Sequence, residues 1–231
     1  MFYQLGMTSF YGPNFLNDLA ELGTNMLPYT VEHFQQFFKN SPTTALTSSP
    51  IWYEERTDFS LNQIGIPRPS HPETHGYLAL RGQGRITGTL LGGCLDSLHD
   101  LIYPVRYQDE PAIAQKYQLF PQDWTNKILF IETSEEQMSP ATYRTYLKHL
   151  DEHGVLKQVK AILVGKPQNE KYFDAYQHVL LELTQPYQTP ILYNLNFGHA
   201  YPRGVLPYGL QTTIDFDNCR VTVNEPFFAD N

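Results

Sequence analysis

Long apolar runs are missing from this chain of 231 residues. A membrane-spanning helix needs roughly 18 or more consecutive apolar residues, and no such stretch occurs. The N-terminus has no basic segment followed by an apolar one, so a secretory leader is not expected. Cysteine is scarce as well. Cys94 and Cys219 are the only two, too few for a disulfide framework and without Cys-x-x-Cys spacing. They read as core residues of a protein in a reducing, cytoplasmic compartment. Positive charge is also short: 16 Lys and Arg stand against 24 Asp and Glu, a net charge of −8. Such a balance argues against nucleic acid or an anionic membrane as partner. With 41% apolar and 17% charged residues and no internal repeat, the chain is globular and long enough to bury a core.

What is there reads as α/β. Residues 1–6 resemble the last turn of a helix stopped at Gly6, followed by a short strand running into Gly12-Pro13. Residues 14–22 and 31–40 have helical spacing, the second with Thr30 as N-cap and Phe34, Phe37 and Phe38 on one face. Residues 40–76 lose periodicity and carry five prolines, which predicts a linker or covering loop. Within it, Trp52 either stacks on a ligand or anchors the loop. Residues 77–91 alternate as strands around Gly82-Gln83-Gly84. Gly92-Gly93 then precedes a short helix, which implies close backbone approach and amide N–H groups turned toward a ligand. From residue 127 the pattern is strand, helix, strand, helix, strand, the signature of parallel crossover units. A hairpin turned at Asp217-Asn218 closes the chain.

The candidate chemistry lies after two of these strands. Asn196-Phe-Gly-His-Ala-Tyr-Pro-Arg-Gly-Val-Leu-Pro-Tyr-Gly209 is a stiff glycine- and proline-rich turn with His199 at its head. An imidazole held at one angle is a natural general base. Lys127-Ile-Leu-Phe-Ile-Glu132 is an apolar strand ending in a carboxylate, and open α/β sheets place their sites at strand C-terminal ends. A carboxylate accepting from imidazole Nδ1–H fixes its tautomer, so Glu132 and His199 read as orienter and base. The third member should be a serine on a sharp strand-to-helix turn. Ser9, Ser48, Ser49 and Ser97 all lack that context, leaving a base and its orienter without a nucleophile. Glu135 and Glu136 read as a charged turn, with Glu135 available to orient a substrate amine. His149 and His153, spaced for one helix face, lack a third metal ligand and read as solvated.

These pieces match a known pattern. Thr8-Ser-Phe-Tyr-Gly-Pro13, Gly88-Thr-Leu-Leu-Gly-Gly-Cys-Leu95, Lys127–Glu132, the segment from Gly154 to Gly165, and Phe197-Gly-His-Ala-Tyr-Pro202 with Leu206-Pro-Tyr-Gly209 run in the order found in one family. The chain resembles the LD-carboxypeptidase and microcin C self-immunity family of serine peptidases. The resemblance implies a Ser-Glu-His triad with Glu132 as orienter and His199 as base. It places the serine and the oxyanion hole in an N-terminal Rossmann-like domain, ahead of Met1. The expected organisation is a remnant of that domain at 1–45, a proline-rich linker at 46–76, and a C-terminal Glu/His domain at 77–231. The expected substrate is a small L,D-peptide such as murein tetrapeptide, or a peptidyl- or aminoacyl-nucleotide. Trp52, Gly92, Gly93 and Glu135 are the expected substrate contacts, with no cofactor and no metal. Expected partners are a second copy in a homodimer and a separately encoded N-terminal half, with inactivity of the chain alone and association through exposed apolar surface. The alternatives are a non-catalytic binding module and a decayed gene product.

Overall fold

The computed structural model describes residues 2–228; Met1, where the opening turn was expected to begin, and residues 229–231 lie outside the described residues. The chain opens with a 3-10 turn, Phe2–Leu5, released at Gly6, and then strand β1, Ser9–Tyr11. The helix expected over 14–22 is a single wide turn, Phe15–Leu19, capped by the Asn14 side chain. The next helix starts earlier than expected. Pro28, pre-set for the first helical position, begins α1 at Pro28–Phe34, followed by α2, Gln36–Lys39. Thr30 is therefore inside α1, buried, with its Oγ1 accepting from the backbone N–H of Arg203.

Residues 46–76 are not devoid of regular structure. β2, Thr44–Leu46, ends there as an edge strand of the main sheet, and β3, Ile51–Tyr53, pairs with β4, Ser70–Pro72. Neither pairing was legible because each strand is three residues long, too short to show a period of two. β5, Leu78–Arg81, and β6, Arg85–Cys94, follow. They do not pair with each other: β5 lies against the far edge of the sheet, and β6 sits in its middle.

After β6 come α3, Leu95–Asp100, and α4, Glu110–Lys116, then β7, Lys127–Glu132, and α5, Pro140–Glu152, with Ser139 as N-cap. α6, Val155–Gln158, leads to β8, Ala161–Gly165; α7, Phe173–Leu183, leads to β9, Ile191–Leu195. β10, Leu206–Tyr208, pairs with β1, and the hairpin β11, Gln211–Asp215, with β12, Arg220–Val223, completes the chain. The main sheet runs β2-β12-β11-β6-β7-β8-β9-β5, with β6 to β9 parallel and both flanks antiparallel.

The central strands are continuous apolar runs because both faces of the sheet are covered. Leu129, Ile131, Ile162 and Val164 point to one face, where Leu95, Leu98, Tyr143, Leu147, Tyr176 and Leu180 of α3, α5 and α7 pack on them. α5 and α7 share that face because both crossovers step in the same direction along the sheet and share one handedness. Ile128, Phe130 and Leu163 point to the other face, against Phe197, Val205, Phe227 and the N-terminal Phe10, Tyr11 and Phe37. Buried ion pairs tie the early segments to the body. Glu21 meets Arg56 at 2.8 Å and Arg68 at 2.7 Å, and Asp18 meets Arg203 at 2.8 Å. Exposed large apolar side chains gather in the first 66 residues, among them Leu5, Phe15, Leu16, Phe38, Leu61 and Ile64. No helix among the described residues is long and apolar enough to cross a membrane.

Candidate active site

Glu132 is the last residue of β7, and its carboxylate is fully buried. Glycine makes the room. A Cβ on Gly198, where φ is +90°, would stand 2.4 Å from Glu132 Cγ, and one on Gly165 would stand 2.8 Å from Glu132 Cβ. The chain can thus wrap His199 directly onto the carboxylate. His199 N–H donates to Oε2 at 3.1 Å, and Nδ1 lies 3.0 Å from Oε1 and 2.9 Å from Oε2. The Tyr11 hydroxyl, delivered by the β1–β10 pairing, donates to Oε1. The loop beyond is also pinned. The His199 carbonyl accepts from Gln168 Nε2 and Arg203 Nη2, each at 3.3 Å, and the Tyr201 ring lies between the guanidinium groups of Arg68 and Arg203 at 3.9 and 4.0 Å.

The other ring nitrogen faces a second carboxylate. His199 Nε2 lies 2.9 Å from Oε2 of Glu135, which is mostly exposed. Burial opposes the imidazolium form, but the hydrogen bond to Glu132 and the charges of Glu132 and Glu135 outweigh it, and the His199 pKa is raised above the usual 6.5. Tyr11 and Tyr208 are held neutral, by burial first and then by the Glu132 charge. Two cavities meet at His199. One, of about 530 Å³, runs past Asn14, Arg56, Phe59 and Arg203. The other, of about 510 Å³, runs past Cys94, Asp96, Ser97, Ser134 and Arg106. Tyr11, Glu135 and His199 border both.

The residues singled out from sequence therefore divide. Glu132, His199 and Glu135 come together. Gly92 and Gly93 lie inside β6 rather than in a loop after it, in register with Phe130 and Ile131 of β7. The close approach at Gly92 is to β7, since a Cβ there would stand 1.8 Å from the Phe130 carbonyl oxygen. Trp52 stacks on His71 with ring centroids 4.2 Å apart, and Lys166 Nζ lies 5.2 Å from its ring; Tyr53 beside it bonds to the Tyr201 carbonyl at 3.1 Å. His149 is not a free surface group. Its Nδ1 lies 2.7 Å from Nε2 of the buried His99, across the packing of α3 on α5.

Several site residues escaped sequence reasoning. Cys94 ends β6 in register with Glu132, and its Sγ lies near both Glu132 and His199. Burial first, then the Glu132 and Asp96 charges, push its thiol pKa up, so at neutral pH it is no thiolate nucleophile. Ser97 and Ser134 border a cavity with His199. Neither bonds to the ring: Ser97 Oγ accepts from Arg106, and Ser134 Oγ has no partner. Tyr11 lies 121 residues from Glu132 in sequence and Arg203 lies 185 from Asp18, and for Tyr11 only the β1–β10 pairing shows the contact.

The family profile described as the LD-carboxypeptidase C-terminal domain matches residues 87–214. The chain belongs to the LD-carboxypeptidase family. The matched domain contains Cys94, Glu132, Glu135 and His199, whereas Tyr11 and Trp52 lie outside it. The microcin C7 self-immunity protein MccF of Escherichia coli is 25% identical over 237 residues, which take in 99% of this chain and 62% of that protein. An MccF-like protein from Streptococcus pneumoniae, solved in complex with AMP, is 39% identical with a TM-score of 0.92 over 97% of this chain and 66% of that one. MccF solved with aspartyl sulfamoyl adenosine shares the fold, at 24% identity and a TM-score of 0.74. The chain thus spans less than two thirds of the length of these relatives.

Proposed function

We infer that Glu132 and His199 are the orienter and general base of a serine-type carboxypeptidase or amidase. The Glu132–His199 hydrogen bond carries this reading, because it fixes the imidazole by Nδ1 and leaves Nε2 to exchange a proton. Among the described residues no serine hydroxyl bonds to Nε2, which Glu135 faces instead. Turnover accordingly requires a serine from outside these residues, and the chain alone is inactive. Loss of such a nucleophile costs on the order of 10⁶ in turnover. The substrate class is a small L,D-peptide or a peptidyl- or aminoacyl-nucleotide. The nucleotide branch is supported by the AMP complex of the Streptococcus pneumoniae relative and the aminoacyl-sulfamoyl nucleoside complex of MccF. Trp52, Glu135, Gly92 and Gly93 are assigned to substrate binding with unequal support. Glu135 stands at the junction of both cavities, Trp52 is joined to the His199 loop through Tyr53, Gly92 packs on β7, and a Cβ on Gly93 would meet the Tyr208 hydroxyl at 3.3 Å. A cytoplasmic location fits the two unpaired cysteines.

The experiment is incubation of the purified chain with murein tetrapeptide and, separately, with an aspartyl-adenylate analogue, following D-alanine and AMP release. No release is expected. Turnover that vanishes in His199→Ala would overturn the requirement for an outside serine. The occupation of Nε2 by Glu135 favours a second reading, a non-catalytic binding module. AMP binding by calorimetry that persists in a longer, serine-containing protein showing no turnover would select it.

A further inference from the structure

We propose that Cys94, Glu132 and His199 together form a binding site for one soft divalent cation of the zinc class, and that its occupancy blocks the base. The Cys94 sulfur, a Glu132 oxygen and a His199 ring nitrogen all lie within 4.8 Å of one another. Zinc bonds of about 2.3 Å to sulfur and about 2.0 Å to nitrogen and oxygen place tetrahedral ligands roughly 3.3–3.7 Å apart. Closing the set therefore takes side-chain rotation of about 1 Å, within reach of fixed backbones.

The backbones are fixed. Cys94 and Glu132 are register partners at the ends of parallel β6 and β7, and the His199 N–H is bonded to Glu132 itself. One sulfur, one nitrogen and one carboxylate oxygen select zinc over magnesium or calcium, which prefer oxygen sets. A bound thiolate and carboxylate balance the two positive charges, while the thiol and imidazole protons on the ligating atoms leave to solvent. The Tyr11 hydroxyl already orients the carboxylate, the supporting contact a metal-binding Glu needs. Cys94 and His199 both border the 510 Å³ cavity, so a cation reaches them from solvent.

A cation on Nδ1, the ring nitrogen beside Glu132, leaves the one proton of the neutral imidazole on Nε2, which then has no lone pair to accept another, and a Glu132 bonded to metal no longer orients the ring. The cation is thus a competitive inhibitor of base function. The proposal uses the dyad's geometry but reads metal binding, so its failure leaves the hydrolase reading untouched.

The test is titration of the whole chain with Co²⁺, a spectroscopic stand-in for Zn²⁺, followed by displacement with Zn²⁺. One equivalent of Co²⁺ should produce a thiolate-to-cobalt charge-transfer band that Zn²⁺ abolishes. Cys94→Ser should remove the band, Cys219→Ser should retain it, and His199→Ala should weaken binding at least tenfold. Absence of the band in the unaltered chain, its persistence in Cys94→Ser, or unchanged affinity in His199→Ala would each overturn the proposal.

Discussion

Glu135 Oε2 lies 2.9 Å from Nε2 of His199, the ring nitrogen that Glu132 leaves free. Both ring nitrogens thus face carboxylates, an environment that favours the imidazolium. In Glu135→Gln the His199 pKa should fall toward 6.5, measurable by NMR of the imidazole protons. A raised folded-state pKa means this cluster stabilises the protein fully below about pH 6.5 and loses that contribution as pH rises through the His199 pKa. A base must be unprotonated, so any turnover in a complete enzyme should rise with pH over the same window, and Glu135→Gln should shift that rise to lower pH. An unmoved imidazole titration would refute the assignment.

Glu132→Gln keeps the shape of the buried side chain and removes its charge. The His199 pKa should drop further than in Glu135→Gln, since the buried hydrogen bond to Glu132 is the largest influence raising it. In a serine-containing protein, turnover should fall by about 10⁴, as for the comparable change in other triads. A loss below tenfold would show that Glu132 does not orient the base.

Tyr11→Phe removes a hydrogen bond to a buried carboxylate. The expected cost is about 1.5–3 kcal/mol, the range for hydrogen bonds to charged groups, read from urea unfolding. If the midpoint does not move, Tyr11 contributes nothing to the placement of Glu132.

Gly92→Ala should prevent folding or cost several kcal/mol, because the added methyl would overlap the Phe130 carbonyl at 1.8 Å. Gly84→Ala is the control. It also has positive φ but open space around it, and should cost only about 1–2 kcal/mol of backbone strain. Equal effects of the two on thermal unfolding would mean that conformation rather than close packing sets the need for glycine at residue 92.

Lys166 is buried with Glu73 at 2.9 Å and Glu170 at 2.5 Å. Lys166→Met should destabilise by about 3–5 kcal/mol, because it strands the buried Glu73 charge. It should also change Trp52 fluorescence, since the ammonium lies 5.2 Å from that ring. A neutral substitution with unaltered emission would remove Lys166 as the support of the Trp52 hairpin.

Sequence alone determined the elements whose signal is local. The parallel units from β7 to β9 were legible because each strand is a continuous apolar run, and Ser139-Pro140 and Gly154 mark the limits of α5 through capping and φ requirements. Glu132 and His199 were legible as a pair because each follows such a strand. What tertiary structure decided is everything set by long-range pairing. Cys94 joins the dyad only through the register of β6 on β7, and Tyr11 only through the pairing of β1 with β10. The Gly92-Gly93 pair signals close backbone approach without naming the neighbour, which for Gly92 is Phe130. Propensity and periodicity act over a few residues, whereas hydrogen-bond register between strands far apart in the chain is chosen by burial of whole faces, and no short stretch of sequence records that choice.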